Sequence, residues 1–342
     1  MKFYLETTVF LIIFWKKVSN HGILYKYFLG GIGMNDSYVY NQIARISNIA
    51  CQRMNRFSEQ ILRTRGGRIG SGMGTLLEAL WGYMMNQIII EENNLDCEIA
   101  WFPDNQYNDF SCIKRNASWN PSSRESEYFR IEVKSMNIGA DESKAHFAAL
   151  QKEIEPNDAM LILVWEWQQI DDVHFSPIVI DSFFDRAQGI AELRDALHIA
   201  RGGSFVDSHH CPDGCIPNFC THGGEPLNAS GKRERLSGPN TTRTSLKVAY
   251  AANFGGLVRM LKTDNEQARR IFRNIRNQNP VADHYISFIH KNFPDEEKNQ
   301  FTISELRRVA DILGIKVSGN NKNELYNAIR SVDAYQTALK NL

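Results

Sequence analysis

The stretch Phe129-Arg130-Ile131-Glu132-Val133-Lys134-Ser135 alternates charged and apolar residues from Arg130 to Lys134. A period of two is the mark of a β-strand. Residues two apart project from one face of a strand, so Arg130, Glu132 and Lys134 share a face and Ile131 and Val133 take the other. A strand of this kind normally hides one face. An acid and a lysine side by side therefore need a partner or a solvent-filled cleft. Glu-x-Lys alone is common on exposed strands, so its neighbours decide its meaning.

Working outward, residues 98–102 and 109–114 read as strands, like 128–135 itself. They are short, rich in aromatic and β-branched residues, and bounded by Asn, Pro and Ser. Residues 115–127 connect the last two as the loop of a long hairpin. Upstream, 36–64 has Val39, Ile43, Ile46 and Ile49 at helical spacing, and a strongly apolar helix follows over 75–90. Between them lies the glycine-rich turn 65–74. It is not a phosphate loop, because no Gly-Lys-Ser/Thr ends it. Downstream, 141–154 is a helix candidate. The nearly continuous apolar run 159–167 reads as a strand buried on both faces, 177–180 as another strand and 183–200 as a helix. The order predicts a mixed α/β sheet flanked by helices.

Asp109 opens the strand before the Glu-x-Lys strand. If the two pair, Asp109 approaches Glu132, and two carboxylates a metal's width apart suit Mg²⁺. Lys134 would then orient or polarise an attacking water, or neutralise transition-state charge.

An Asp at the start of one strand, followed in the next by Glu-x-Lys, resembles the PD-(D/E)xK nuclease superfamily. The matching residues are Asp109 and Glu132-Val133-Lys134, with Glu78 of Thr75-Leu-Leu-Glu-Ala-Leu as the acidic residue of the preceding helix. The resemblance covers about residues 70–200. It implies a restriction-endonuclease-like core, with Asp109, Glu132 and the Val133 carbonyl as Mg²⁺ ligands. It implies Lys134 as the water-activating group and Glu78 as accessory ligand or base. The family's Pro-Asp pair stands here as Pro103-Asp104, five residues earlier. Asp109 is preferred because an apolar strand follows it, and Asp104 stays open as the alternative.

Lysine plus arginine equals aspartate plus glutamate, at 39 each, so total charge says nothing of a nucleic-acid partner. Local charge says more. Between Lys232 and Arg276 eleven basic residues face only Glu234, Asp264 and Glu266. A second basic stretch holds Arg45, Arg53, Arg56, Arg63, Arg65 and Arg68. Both suit a polyanion, through counterion release, and both also suit a solvated helix face. Lys232, Arg233 and Arg235, on a polar loop at 223–239, and Arg243 just after it are candidates for DNA contact.

Just before that loop, His209, His210, Cys211, Cys215, Cys220 and His222 fall within fourteen residues. Cys211, Cys215, Cys220 and either His210 or His222 could close a tetrahedral Zn²⁺ site, although the spacing lacks the usual Cys-x-x-Cys. Cys51, Cys97 and Cys112 lie among apolar neighbours as buried thiols. Without an even cysteine framework, a reducing, cytoplasmic compartment is expected.

Near the C-terminus, Thr302-Ile-Ser-Glu305 is a capping box and Gly314 a C-cap, and Asn321 with Glu324 marks a second short helix. The segment from Leu306 through Ser318-Gly-Asn-Asn-Lys322 to Ile329 resembles a SAP-type helix-extension-helix, which implies DNA contact at Lys322. Its Ser-Gly to Lys spacing is one residue longer than the usual pattern. At the other end, the apolar run from Val9 to Trp15 is too short to span a bilayer, which takes about 20 residues. The composition turns ordinary at Met34, so no membrane role is expected.

The expected organisation is an extension or upstream sequence at 1–33, a nuclease-like core at 34–205, a cysteine-rich basic insert and helical region at 206–295, and a small helical module at 296–342. The expected activity is Mg²⁺-dependent hydrolysis of double-stranded DNA by a homodimeric type II restriction enzyme. A repair or recombination nuclease that reads DNA structure, and a non-catalytic DNA-binding protein, are the alternatives.

Overall fold

Two helices enter first, α1 (Asp36–Ile61) and α2 (Met73–Glu92), followed by β1 (Cys97–Trp101), β2 (Phe110–Lys114), β3 (Glu127–Asn137), β4 (Ala159–Gln169) and β5 (Phe175–Arg186). Then come α3 (Ala187–Ala200), α4 (Glu266–Gln278), α5 (Pro280–Asn292), α6 (Pro294–Asn299), α7 (Ile303–Ile312), α8 (Lys322–Arg330) and α9 (Tyr335–Lys340). These come from a computed structural model that describes residues 36–65, 72–102, 108–139, 154–200, 256–261, 266–299, 301–317 and 321–340, with residues 145, 147, 151 and 319. The glycines at 66–70, Asp104, most of the helix expected at 141–154, and everything from 201 to 255 lie outside the described residues. Cys211, Cys215, Cys220, His222, Lys232, Arg233, Arg235 and Arg243 fall in that last stretch.

The five strands form one sheet in the order β1-β2-β3-β4-β5. Only β3 and β4 run parallel; the other neighbours are antiparallel. The fold is thus mixed α/β, as the sequence predicts. The run in β4 is apolar because both its faces are covered. Leu161, Leu163 and Trp165 pack in one core with α1 and α2, while Met160, Ile162 and Val164 pack in a second with α3, α4 and α5. Helix α1 turns Val39, Ile43, Ile46, Ala50 and Met54 to the first core, the three-and-four spacing of an amphipathic helix.

Polar clamps fix these helices to the strands. The Asn86 amide of α2 bonds both the N–H and the C=O of Ile99 in β1, at 2.8 and 2.9 Å. Asn55 of α1 does the same for Val179 in β5, at 2.8 Å each. The buried Trp81 indole donates to Ser47 Oγ at 3.0 Å and joins α2 to α1. Gly82 lets α2 press on the sheet. A Cβ there would meet the Phe110 ring at 2.7 Å. Gly82→Ala is therefore expected to destabilise the protein by about 1–3 kcal/mol through overpacking. Chemical denaturation checks this, and an unchanged midpoint would contradict it.

The helix expected over 183–200 begins later. Phe183 and Phe184 still belong to β5, paired with Ile162 and Leu161, and they pack into opposite cores. Pairing with the whole length of β4 outweighs the local helical pattern. The helix starts at Ala187, whose N–H donates to the Asp158 carbonyl at 2.8 Å.

A third core, of Phe301, Leu306, Val309, Leu325, Tyr326 and Ile329 among others, belongs to the C-terminal helices. The capping box is present: Thr302 accepts from Glu305 N–H, and Glu305 accepts from Thr302 N–H. Gly314 takes the left-handed φ of 70° that a residue just past a helix end needs. Asn321 caps α8, its side chain accepting from Asn323 N–H. Cys51, Cys97 and Cys112 are buried free thiols, as expected. Among the described residues no helix is long and apolar enough to cross a membrane.

Candidate active site

Strands β2 and β3 part company at one end of the sheet. Phe110, the first residue of β2, pairs with Ile131, and the N–H of Asp109 still donates to the Ile131 carbonyl at 3.1 Å. Beyond that point β3 runs on from Glu132 to Asn137 paired with β4. The edge of β3 left open there is where Asp109 folds back. Its Oδ2 accepts the Val133 N–H at 2.7 Å. The two strands thus hold Asp109 against the Glu-Val-Lys segment.

Glu132 is 6% exposed, because its face of β3 is continuous with that of buried Met160 in β4. Its Oε1 pairs with Lys134 Nζ at 2.5 Å, while its Oε2 is buried with no hydrogen-bond partner. Arg130 shares that strand face but is committed elsewhere. Its guanidinium bonds Glu127 at 2.7 Å and the Pro121 carbonyl at 2.6 Å. Glu78, on α2, is near enough to couple electrostatically to Asp109, Lys134 and Glu132. That helix comes close to β3 at Gly74, where a Cβ would lie 3.3 Å from Ser135.

The electrostatics show three carboxylates competing around one cation. Burial pushes Glu132 up to about 7, and Asp109 and Glu78 add to the shift against the opposing pull of Lys134. Burial, helped by the charge of Asp109, pushes Glu78 up to about 7 as well. Asp109 is also raised by burial, although the Val133 N–H and Lys134 hold it back. Burial works against the Lys134 ammonium, but Glu132, Asp109 and Glu78 together raise its pKa above the ordinary value. Lys134 is accordingly a fixed cation at neutral pH, while Glu78 and Glu132 sit at the boundary between charged and neutral.

These donors fit Mg²⁺ in kind. They are hard oxygens, burial raises their pKa values, and one buried oxygen has nothing to bond. Among the described residues no group of three or more His, Cys, Asp or Glu is gathered as a metal cage. The expected set is smaller, two carboxylates and the Val133 carbonyl, and Mg²⁺ keeps several waters rather than demanding a full protein cage.

A pH dependence follows. The folded pKa values of Glu78 and Glu132, about 7, lie above the ordinary 4.5. Between those values the folded state binds more protons than the unfolded one, so stability carried by these groups falls as pH rises through the window. A divalent cation favours the ionised carboxylates. Mg²⁺ is therefore expected to raise the melting temperature markedly at pH 8 and little at pH 5. Differential scanning calorimetry with and without chelator checks this, and an equal shift at both pH values would contradict it.

The sequence reading places Asp109, Glu132, Lys134 and Glu78 together, and the structure brings them together. Lys322 belongs to a different part of the fold, the first residue of α8, where burial and the charges of Lys298 and Arg269 lower its pKa. Many of the other cations expected to meet a polyanion are tied to acids. Arg45 pairs with Glu92, Arg53 with Glu91, Arg63 with Asp171, Arg273 with Glu305 and Arg276 with Asp283. These read as charge-paired side chains.

Two residues escaped the sequence reading. Asp158 is fully buried and takes both guanidinium nitrogens of Arg124, at 3.2 and 2.6 Å, with the N–H groups of Arg130 and Glu155, each at 3.0 Å. Nothing local in the sequence marks it. Asn108 is 4% exposed with no partner for its amide. The one available signal was its place directly before Asp109. In comparisons with known proteins, the chain matches no family model, no curated protein and no solved structure.

Proposed function

We propose that the chain is a Mg²⁺-dependent endonuclease that hydrolyses phosphodiester bonds of double-stranded DNA, of the PD-(D/E)xK kind and acting as a type II restriction enzyme. One observation carries the reading. Asp109 is held on the Glu132-Val133-Lys134 segment by its bond from the Val133 N–H, with Glu78 and Lys134 coupled to it electrostatically. The order of elements supports it: acidic helix, Asp-led strand, Glu-x-Lys strand and apolar strand.

In this reading Asp109, Glu132 and the Val133 carbonyl would hold Mg²⁺, which would supply Lewis-acid stabilisation of the phosphoryl oxygens. Lys134, kept protonated by its three acidic neighbours, is no proton acceptor. It orients the attacking water and neutralises charge that builds on the phosphate. Glu78, coupled electrostatically to Asp109 and Lys134, serves as the general base. Water attacks phosphorus and gives its proton to Glu78. The bond from phosphorus to the 3′-oxygen breaks, leaving a 5′-phosphate, and the 3′-oxygen takes a proton from solvent.

The remaining parts are assigned on the sequence. Cys211, Cys215, Cys220 and His222 would hold a structural Zn²⁺, and Lys232, Arg233, Arg235 and Arg243 with Lys322 would contact DNA. Cutting both strands of a palindrome calls for a homodimer with two such centres. Plasmid digestion tests the reading. Discrete fragments in Mg²⁺, absent with chelator, are expected. A smear or branch-selective cutting would replace sequence recognition by structure recognition. Binding with no cutting on DNAs of varied sequence and methylation would overturn the enzyme.

A further inference from the structure

Residues 115–126 join β2 to β3, where a hairpin usually needs about 2–5 residues. The long loop folds back on the sheet face that carries Glu132. The Trp119 ring meets the Phe102 ring edge-on at 5.5 Å, and its indole donates to Glu127 at 2.9 Å. Arg130, two residues before Glu132 on the same face of β3, covers the Phe102 ring at 4.5 Å and donates to the Pro121 carbonyl at 2.6 Å. Arg124 reaches the buried Asp158, just before β4. Phe102 in turn stands beside Asp109, whose carbonyl accepts its N–H at 3.0 Å. The loop therefore crosses from the end of β1 to the start of β4, and it borders the place where Asp109 meets the Glu132 segment. Its backbone is also held in unusual shapes. Asn116, Arg124 and Ser126 take left-handed φ of 61°, 56° and 64°, and among the described residues Asn93 is the one other non-glycine residue to do so. Such positions gather at ligand-contact sites, where the surroundings hold them.

We infer that residues 118–123 form a DNA-contact wall beside this centre; the inference rests on the nuclease reading above. Ser118, Asn120, Ser122 and Ser123 are exposed. Hydroxyls and amides both donate and accept, which suits phosphate oxygens and base edges alike. Asn120 Oδ1 accepts the Ser122 N–H at 3.0 Å and so fixes the tip. Charge favours a polyanion: from 114 to 126, Lys114, Arg115 and Arg124 stand against Glu125 alone. The anchors serve the contact. With Trp119, Pro121 and Arg124 tied to the sheet, the tip is ordered before DNA arrives, so less freedom is lost on binding.

The test uses the full chain and the double variant Ser122→Glu with Ser123→Glu. Both side chains are exposed, so the melting temperature is expected to stay close to that of wild type. Binding of duplex DNA is measured at low and high salt, with plasmid cleavage alongside. At low salt the affinity is expected to fall on the order of 10-fold to 100-fold, because like charges meet. The gap from wild type is expected to narrow as salt screens them. The opposite pair, Ser122→Lys with Ser123→Lys, is expected to tighten binding at low salt, and it carries the test alone should the acidic pair fail to fold. Wild-type affinity in both pairs, in a protein that still cuts plasmid, would make the loop a mere cover for Phe102. That result would overturn the inference and leave the nuclease reading standing. Wild-type protein that neither binds nor cuts DNA would overturn both.

Discussion

Lys134→Ala is expected to lower Mg²⁺-dependent DNA cleavage by about 10²- to 10³-fold, the usual cost of removing one preorganised group that meets transition-state charge. The ammonium is held near Glu132 at 2.5 Å and kept charged by Glu132, Asp109 and Glu78. Alanine removes the basic partner of the buried Glu132 carboxylate. Its pKa, already raised by burial to about 7 without metal, then rises further, because the opposing pull of Lys134 is gone. The loss is therefore twofold, a missing cation and a weakened metal ligand. Single-turnover cleavage with DNA binding measured alongside separates these from a binding defect. Binding close to wild type with cleavage lost is expected. Cleavage within a few-fold of wild type would remove Lys134 from the chemistry.

Asp158→Ala carries the largest expected loss of stability, about 3–5 kcal/mol, the range for breaking a buried ion pair from one side. Asp158 sits just before β4 and bonds the backbone of Arg130 in β3. It thereby pins the start of the parallel pair in which Ile131 meets Ala159. Another partner, Arg124, belongs to a loop where Arg124 and Ser126 both hold left-handed backbone, at φ of 56° and 64°. Such residues persist only where the surroundings hold them. Removing the carboxylate frees the loop, leaves Arg124 without its acid, and loosens the register that carries Glu132 and Lys134. Urea denaturation checks the magnitude, and a loss under about 1 kcal/mol would contradict this role. Asp158→Asn, which keeps one acceptor oxygen but replaces the other with a donor amide and drops the charge, is expected to fall between.

The fold was legible where pattern and burial agree. The apolar run of β4 is buried on both faces, as a strand inside a three-layer fold must be. The capping box of α7 and the cap of α8 are local chemistry, and both are as read. The misreading came at Phe183 and Phe184. Two adjacent aromatics before an amphipathic helix look helical, yet each fills a different core from the end of β5. Only the length of the partner strand decides that. The site divides in the same way. Asp109, Glu132, Lys134 and Glu78 were legible because their order along the chain is also their order in the sheet and its covering helix. Asp158 was not, because it acts by bonding backbone and a loop arginine brought to it by folding. Asn108 was not, because an unpaired amide is visible only once its surroundings are known. The ion pairs of the basic stretches were not legible for a related reason. Their acids stand elsewhere in the sequence, as Glu91 and Glu92 do for Arg53 and Arg45.

The central claim is that Asp109 and Glu132 hold the metal that cuts DNA. Asp109→Asn and Glu132→Gln keep the shape of each side chain and remove its charge. Cleavage of plasmid DNA in Mg²⁺ by these two variants, measured beside DNA binding, tests it most directly. Both are predicted to bind DNA as wild type does and to leave both strands intact. Either variant cutting at the wild-type rate would contradict the account.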